Sequence, residues 1–479
     1  MDKFRQFNKY MEANKDVISK ALTSATGVGG ALIPENLEQI ITDTVIRLSP
    51  ELAMVFQKKI SGKIHEFNKL VQRPGRGGAL GENATTPITN SKTERDTVTL
   101  KVVRRKGKVT NFLIDTSEEY IDAAAYEMEN HLQAHILDMI WYIIWGNENA
   151  NSYEFNGLEQ LVSSNRVAYS SAAGGAVPTN LSFLDDMIDA SNRKGGGRHK
   201  RAILMSPEML SKVSQLLTNV RLNQGLVQGG LTQIEINGGW RLNAYRDIPI
   251  IETTSLSPIE TLSSTVTATP QTTGGSLADD TYYVRVAPVT YEGEQGASAE
   301  STVVVSGGTG NGSIDISLDA VHQTTINGVS VNSALAYKIY IGTTAGAENL
   351  VLVKHVSAFT YDAEGSPSDD NMLSGNEVVI TTLTPSSDVP THMQADIPFV
   401  IGGSNNKYAE SIVLWDLDPI QGLGKLPYTN QSGDQFNGLV TTKQLAETDD
   451  FINFLVKSYA ALCPSFEGTS YWLRNIRVA

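Results

Sequence analysis

The sequence predicts an α+β chain of several packing units, one of which is an inserted all-β segment. Three observations lead to this prediction: a long stretch with helical periodicity, a two-stranded pattern with a glycine-rich middle, and an acidic region whose periodicity is that of strands. At 479 residues, the chain exceeds the size at which a single hydrophobic core normally stops growing. Its 41% of hydrophobic and 19% of charged residues are typical of a folded protein rather than a disordered one.

Charge and cysteine content exclude several classes of protein. The formal net charge of −14 excludes a uniformly cationic nucleic-acid coat, and the single cysteine, Cys463, excludes intramolecular disulfides and four-sulfur metal sites. The charged N-terminus lacks the apolar stretch of a secretion signal. The longest purely apolar run, Met139–Trp145, is too short to cross a bilayer, which takes about 20 helical residues. We therefore expect a soluble protein of a reducing cytosol, with no membrane partner.

Residues 56–112 are predicted to form an extended, two-stranded arm. Positions 56–110 contain thirteen Lys or Arg and four Asp or Glu residues. Lys63–Val71 and Thr97–Val103 alternate as paired strands would, and the residues between Arg73 and Pro87 are turn-forming. An isolated hairpin buries too little apolar surface to be stable, so we expect the arm to lie on a neighbouring subunit.

A long helix, which we call the spine helix, is predicted over residues 116–146. Thr116 and Glu119 form a T-x-x-E capping box, and apolar residues follow at spacings of three and four as far as Gly146. About 30 residues at about 1.5 Å each give a rod of roughly 45 Å.

The region from Pro258 to Ser387 is acidic and strand-like, with three basic and fourteen acidic residues. Runs of β-branched and aromatic residues are separated there by Gly, Asn, Ser and Asp clusters, which predicts a small all-β sandwich. The runs are Tyr282–Val289, Thr302–Val305, Ser313–Leu318, Tyr337–Ile341 and Leu350–Val353. Two short apolar segments, Ile248–Glu252 and Ile397–Ile401, flank the region and are predicted to be neighbouring strands of one core. The sandwich would then be an insertion that projects from the surface of its host.

Two sets of phrases carry resemblances to known families. Within residues 262–382, the segments Ala278–Val286, Tyr337–Gly342 and Phe359–Asp362 resemble a fibronectin type III or immunoglobulin-like module, without the disulfide of true immunoglobulins. The rest of the chain contains, in order, Gly29–Glu35, Arg47–Pro50, Gly81–Pro87, Gly146–Asn149, Phe155–Leu158, Ala202–Leu210, Ile248–Ile251, Phe399–Gly403, Lys457–Ala461 and Leu473–Ile476. The order and spacing of these phrases resemble the major capsid proteins of tailed phages with the Hong Kong 97 type fold.

The capsid resemblance implies a shell protein with a mechanical rather than an enzymatic role. It implies a peripheral domain built on the spine helix and an axial domain that the sandwich interrupts. The implied divisions are 1–55 (N-terminal arm and first helix), 56–112 (extended loop), 113–180 (peripheral domain), 181–258 (axial domain, first part), 259–387 (inserted sandwich), 388–440 (axial domain, second part) and 441–479 (peripheral closing strands).

The same resemblance implies the partners of the chain. Subunits of such shells form pentamers and hexamers of an icosahedral capsid around double-stranded DNA, assembled in the host cytoplasm and retained in the virion. A portal is expected, and so is a separate scaffolding protein, because only about 28 residues precede Gly29.

Two groups of charged residues are candidates for contacts in the shell. The candidate inter-subunit contacts on the extended loop are Lys63, Arg73, Arg76, Glu82, Arg104, Arg105 and Lys106. The candidate DNA-facing residues are Arg193, Lys194, Arg198, Lys200 and Arg201. Each basic cluster could contact DNA phosphates or pair with acidic surfaces of neighbouring subunits. Pairing between subunits is favoured for the cluster on the extended loop, and both alternatives stay equally open for the other cluster.

The sequence predicts no catalytic, cofactor or metal site. His131 and His135 have a spacing that zinc sites use, but Leu132 stands where the metalloprotease pattern needs Glu, so a packed or interfacial histidine pair is favoured. Some shells of the resembling family crosslink through Lys to Asn isopeptide bonds. The loop has lysines, but no partner Asn or catalytic Glu can be matched to this chain.

Two other functions remain open at this point. An encapsulin, a nanocompartment shell that encloses an enzyme, would keep the fold and change the contents. A monomeric adhesion protein built on the sandwich would not explain the arm and the spine helix. The acidic sandwich is expected on the outer surface, where its candidate roles are binding host-surface glycans, binding a decoration protein, or strengthening the exterior.

Overall fold

The computed structural model describes most of the chain in separate segments. These are residues 52, 58–60, 62–75, 79, 82, 85, 88–117, 123–171, 175–224, 232–236, 240–256, 258, 266–307, 310–318, 323–326, 329–332, 334–355, 377–400, 409–424, 440–444, 450–466 and 468–478. Nearly all of the predicted N-terminal arm, Arg76 and the segment Phe359–Asp362 lie outside the described residues.

Helices and strands are both abundant, which confirms the predicted mixed fold class. The helices are α1 (Asn111–Ser117), α2 (Ala123–Trp145), α3 (Leu158–Leu161), α4 (Ser182–Arg193) and α5 (Pro207–Gln224), with 3₁₀ turns at Gly196–Arg198 and Thr254–Leu256. The first strands are β1 (Lys58–Lys59), β2 (Ile64–Gln72), β3 (Lys92–Thr99), β4 (Lys101–Thr110), β5 (Arg166–Ala168), β6 (Arg201–Met205), β7 (Thr232–Ile236), β8 (Trp240–Tyr245), β9 (Ile248–Glu252), β10 (Ala268–Gln271), β11 (Asp280–Thr290) and β12 (Gly293–Glu294). The later strands are β13 (Ser301–Val305), β14 (Ser313–Ser317), β15 (Gln323–Ile326), β16 (Val329–Asn332), β17 (Ala336–Gly342), β18 (Asn349–His355), β19 (Glu377–Ile380), β20 (Ala409–Asp416), β21 (Ile420–Gly424), β22 (Val440–Gln444), β23 (Phe451–Pro464) and β24 (Tyr471–Arg477).

The chain divides into two compact units. The first takes in described residues up to Asn68, then Glu94–Ile140 and Gln421–Cys463. The second takes in Lys69–Thr93, Trp141–Ile420 and Pro464 to the C-terminus.

The first unit packs a helix on a five-stranded sheet. Its strand order is β1-β21-β23-β22, and β4 pairs antiparallel with β23 over ten residue pairs. The buried side chains of α2 include Leu132, Ile136 and Met139. Nε2 of His135 lies 2.7 Å from Oγ of Ser458, which places this helix face against β23.

His131, one helical turn before His135, and Gly107 of β4 both pack against Phe454 of β23. The rings of His131 and Phe454 meet edge-on, with centroids 5.1 Å apart. A Cβ at Gly107 would lie 2.2 Å from Cζ of Phe454 and 2.9 Å from Nε2 of His131. Only glycine fits in β4 here, and the two histidines are a packed pair.

The long helix is present, but its predicted start is wrong. Thr116 lies inside α1 and not immediately before a helix, so it does not occupy the N-cap position of the predicted capping box. Its partner Glu119 lies outside the described residues.

Within the described chain, no helix is both long and apolar enough to cross a membrane.

The second unit contains a seven-stranded mixed sheet. Its order is β5-β24-β20-β6-β9-β8-β7, with β6 and β9 parallel at its centre. Helices α4 and α5 pack on this sheet through buried residues such as Leu184, Met187 and Val213, which meet Ile250 and Ile412 of the strands.

Of the two flanking segments predicted to be neighbouring strands, only the first is a strand among the described residues. Ile248–Glu252 is a strand, but its neighbours in the sheet are β6 and β8. Residues 397–400 form no strand, and the carbonyl of Phe399 accepts a hydrogen bond from the amide of Ala297 at 2.6 Å.

The acidic region contains two antiparallel sheets with a common core and a separate two-stranded antiparallel sheet, β15-β16. One sheet has the order β10-β14-β19, and the other has the order β12-β11-β17-β18 with β13 paired to β11. Every predicted run of this region is found in a strand, except that Leu318 lies just past the end of β14. Both sheets contribute to one buried cluster, for example through Ile314 and Ile316 from the first and Val284 and Ile339 from the second. We call residues 266–380 the insert.

His135 should make the protein sensitive to acid. Burial lowers the pKa of His135 from its ordinary value of 6.5 to about 4. The unfolded chain therefore takes up the proton at higher pH than the folded chain. The contribution of the neutral, buried His135 to the free energy of unfolding is complete above about pH 6.5. It is lost as the pH drops towards 4, which lowers the free energy of unfolding by about 3 kcal/mol. Urea unfolding across this range should show a smaller decrease in H135Q, and the same decrease in both proteins would contradict the assignment.

Candidate assembly and nucleic-acid surfaces

The extended loop is a two-stranded ribbon. Strands β2 and β3 pair with each other and, within the described residues, with no third strand. The amide of Leu100 donates to the carbonyl of Lys63 at 2.9 Å, and Arg95 lies 3.4 Å from Glu66 on the opposite strand. The nine residues of β2 span about 30 Å at about 3.3 Å each.

The ribbon exposes both apolar and charged side chains. The exposed fractions are 56% for Ile64, 55% for Leu70, 53% for Val71 and 93% for Ile88. The predicted contact residues Lys63, Arg73 and Glu82 are also exposed. Exposed apolar side chains on a ribbon that has only two strands indicate a surface that another molecule covers.

The basic cluster of β4 divides between two faces of its sheet. Arg104 and Lys106 are exposed, as alternation along a strand requires. Arg105 points the other way, where its Nε and Nη2 donate to the two carboxylate oxygens of Asp138 at 2.5 and 2.9 Å. A guanidinium held in this way already has its partner in the same chain, so we retain Arg104 and Lys106, and not Arg105, as proposed contacts.

The tertiary structure adds a cation that sequence reasoning missed. Lys457 of β23 lies directly opposite Arg104 in the register, and its Nζ is 3.3 Å from Oη of Tyr459. We call Arg104, Lys106, Lys108 and Lys457 the basic sheet face. No carboxylate pairs with these four side chains in the part of the chain that is described. Like charges directly opposite one another destabilise a sheet, so this face favours an anionic partner.

The second basic cluster is a loop tied to the core by some of its own cations. Nζ of Lys194 donates to Oδ1 of Asn165 at 2.8 Å, and Nη1 of Arg201 donates to Oδ1 of Asn192 at the same distance. Nδ1 of His199 lies 2.7 Å from the fully buried carboxylate of Asp416. The backbone amide of Lys200 donates to Oδ2 of Asp418 at 2.9 Å.

The other cations of this loop point away from the core. Arg193, Arg198 and the side chain of Lys200 are exposed and make no ion pair with any described residue. We call these three the free loop cations. Of the five predicted DNA-facing residues, Lys194 and Arg201 hold the loop in place, and the other three are available to a ligand.

Comparison with known families identifies the class of protein. A family model described as SU10 major capsid protein matches residues 15–246, just under half of the 479 residues. The match includes the ribbon, α2 and the basic loop. The chain is a major capsid protein. This major capsid protein is a structural protein of a phage virion and assembles with other copies into the capsid shell. No curated protein matches the sequence significantly.

Several solved capsid structures are distantly similar to this major capsid protein. The capsid of cyanophage A-1(L) is 12% identical with a TM-score of 0.40, covering 89% of this chain and 93% of that one. The SrpI encapsulin of Synechococcus elongatus PCC 7942 is 11% identical with a TM-score of 0.39, covering 97% and 96%. A chain of Mycobacterium phage Cain is 10% identical with a TM-score of 0.36, covering 86% and 82%.

Neighbouring arginines of β4 should have opposite roles. R105M leaves Asp138, whose side chain is only 15% exposed, without its charge partner, so we expect the free energy of unfolding to fall by about 2–3 kcal/mol. R104M removes an exposed charge and should change it by less than about 0.5 kcal/mol. Urea unfolding of the two purified variants compares them directly. Equal destabilisation would contradict the assignment of the two side chains to opposite faces.

Proposed function

We propose that this major capsid protein forms a shell of the Hong Kong 97 type, in which pentamers and hexamers enclose the double-stranded DNA of a tailed phage. The single observation that carries the proposal is the β2–β3 ribbon. It reaches about 30 Å and exposes apolar side chains on both faces of β2, including Leu70 and Val71. A ribbon of this kind is stable when it lies on an adjacent subunit.

The basic sheet face provides a second proposed contact between subunits. Its four cations lie on one side of a rigid sheet, and the chain as a whole has a net charge of −14. Acidic surfaces of neighbouring copies are therefore the expected partners. Pairing across a subunit boundary would also remove the repulsion between Arg104 and Lys457.

The free loop cations are proposed to contact the packaged DNA. Arg193, Arg198 and Lys200 project from a loop whose position other side chains fix, so contact with phosphates orders these side chains without having to order the loop backbone as well. Such contacts are independent of base sequence and weaken as salt concentration rises.

Further parts of the proposal rest on the resemblance alone. They are the portal and separate scaffolding partners, assembly in the host cytoplasm, and the boundaries of the peripheral and axial domains given above. The insert is proposed to be an immunoglobulin or fibronectin type III-like module on the outer surface, supported by its two antiparallel sheets with a common core. An encapsulin shell is the alternative, and the DNA content of purified particles distinguishes the two.

The ribbon can be tested without disturbing the core. The double variant L70S/V71S changes two exposed side chains, so the subunit should fold normally. The yield of closed shells should fall at least about ten-fold, because full burial of a Leu or Val side chain is worth about 1.5–3 kcal/mol. Electron microscopy and sedimentation measure the yield. V304S, at a side chain that is 57% exposed on the insert, is the matched control. Normal shells from L70S/V71S would rule out the proposed role of the ribbon.

The DNA contact has a signature in salt. A variant with Arg193→Gln and Arg198→Gln removes two cations, so the slope of log K against log[salt] for binding of a DNA fragment should become less steep by about 1.8. Lys63→Gln with Arg73→Gln removes the same charge from the ribbon and should leave the slope unchanged. If both double variants reduce the slope equally, binding follows overall charge and the loop has no special role.

A further inference from the structure

The central strand of one sheet of the insert is buried on both faces. Every residue of β17 from Ala336 to Ile341 is buried. One face meets the second sheet of the insert. On the other face, Tyr340 and Leu350 pack with Val389 and Met393, which follow the insert in the chain. The sheet is therefore a middle layer, and it does not project from the host as the sequence predicted.

Backbone hydrogen bonds fasten this sheet to the segment that follows the insert. The amide of Leu350 donates to the carbonyl of Asp396 at 3.2 Å, and the amide of Ser386 donates to the carbonyl of Val351 at 2.9 Å. Together with the bond from Ala297 to Phe399 at 2.6 Å, they extend the sheet into its host.

A buried ion cluster joins the same two parts. Nζ of Lys338, on β17, lies 2.6 Å from Oε1 of Glu159 and 2.7 Å from Oε2 of Glu294. The side chain of Lys338 is 1% exposed, and the ring of Trp145 covers its ammonium group at 4.7 Å. Glu294 belongs to the insert, whereas Glu159 belongs to α3 of the host.

Two arginines of the host complete the cluster. Nη2 of Arg474 lies 3.1 Å from both carboxylate oxygens of Glu294, and Nη1 contacts Asp396. Arg166 contacts Asp396 and lies 3.0 Å from Glu159. The cluster therefore contains three cations and three carboxylates, and its net charge is zero.

Removal of one member leaves the others uncompensated. Burial by itself would raise the pKa of Glu294, but Arg474 and Lys338 lower it overall, so the carboxylate stays ionised. Burial likewise opposes ionisation of Asp396, and Arg166 and Arg474 overcome it. A buried ion pair adds little net stability, whereas breaking one by removing a single partner is strongly destabilising. Host and insert therefore share their charge partners: Lys338 of the insert pairs with Glu159 of the host, and Arg474 of the host pairs with Glu294 of the insert.

We propose that the insert has a structural function inside the subunit: its middle-layer sheet is part of the host's core, and the host needs it in order to fold. Insertions at exposed loop tips can be removed because few contacts cross their boundary. Here hydrogen bonds, an apolar cluster and six charges cross it. This inference does not depend on what the shell encloses.

A charge-balance experiment tests the proposal. K338M leaves two buried carboxylates without their shared cation, and we expect its folding equilibrium constant to fall at least about a hundred-fold. Hydrogen exchange should then show loss of protection in host strands β20 and β24 as well as in β11 and β17. K354M, on the adjacent strand at a partly buried lysine, is the matched control and should behave as the unmodified protein.

A second variant separates the charge from the packing. In the double variant K338M/E159Q, one carboxylate is removed together with the cation, so we expect at least a ten-fold recovery of the folding equilibrium constant relative to K338M. No recovery would overturn the role of the cluster. A chain in which residues 266–380 are replaced by a short Gly/Ser linker should give no soluble host. A soluble, shell-forming product of that replacement would overturn the proposal itself.

Discussion

The neutral ion cluster in the second unit is the constraint on which that unit depends. Its charges lie in a medium of low dielectric constant, where each one is costly unless its partners are in place. Lys338 is held between Glu159 of α3 and Glu294 of β12, and other contacts extend from there to β5 and β24. These elements therefore have to assemble together. An apolar core tolerates small displacements, but an ion pair loses most of its compensation when one partner moves away.

The surface uses the same residue types in a different way. Arg105 and Arg201 are bound to groups of their own chain and fix the strand or loop that holds them. Arg104, next to Arg105, and Arg198, three residues before Arg201, face outwards. In β4 the division follows from the strand, because alternate side chains point to opposite sides. A rigid support beneath exposed cations suits a shell protein, since repeated contacts in a lattice require the same geometry in every subunit.

The region matched by the family model and the insert occupy different parts of the chain. The family match lies within residues 15–246, which include the ribbon, α2 and the basic loop. The insert and the closing strands lie outside it, and there the argument depends on packing alone. In the second unit the two kinds of region meet in the ion cluster. β24, near the C-terminus, supplies Arg474, and the insert supplies Glu294. The inserted segment and its host are therefore parts of one folded unit.

The sequence by itself determined the elements whose signals are local. The period of 3.6 residues predicted α2, the period of two predicted the ribbon and the strands of the insert, and turn-forming residues placed the loops between them. Only the tertiary structure decided which residues meet. Nothing near Lys338 indicates that it is buried, because a single lysine in a strand normally faces water, and its partners Glu159 and Glu294 are distant in sequence. In the same way, Lys457 faces Arg104 through strand register, and residues 397–400 pack on the insert instead of forming the predicted strand. Local periodicity follows from backbone geometry, whereas these pairings follow from how the whole chain excludes water.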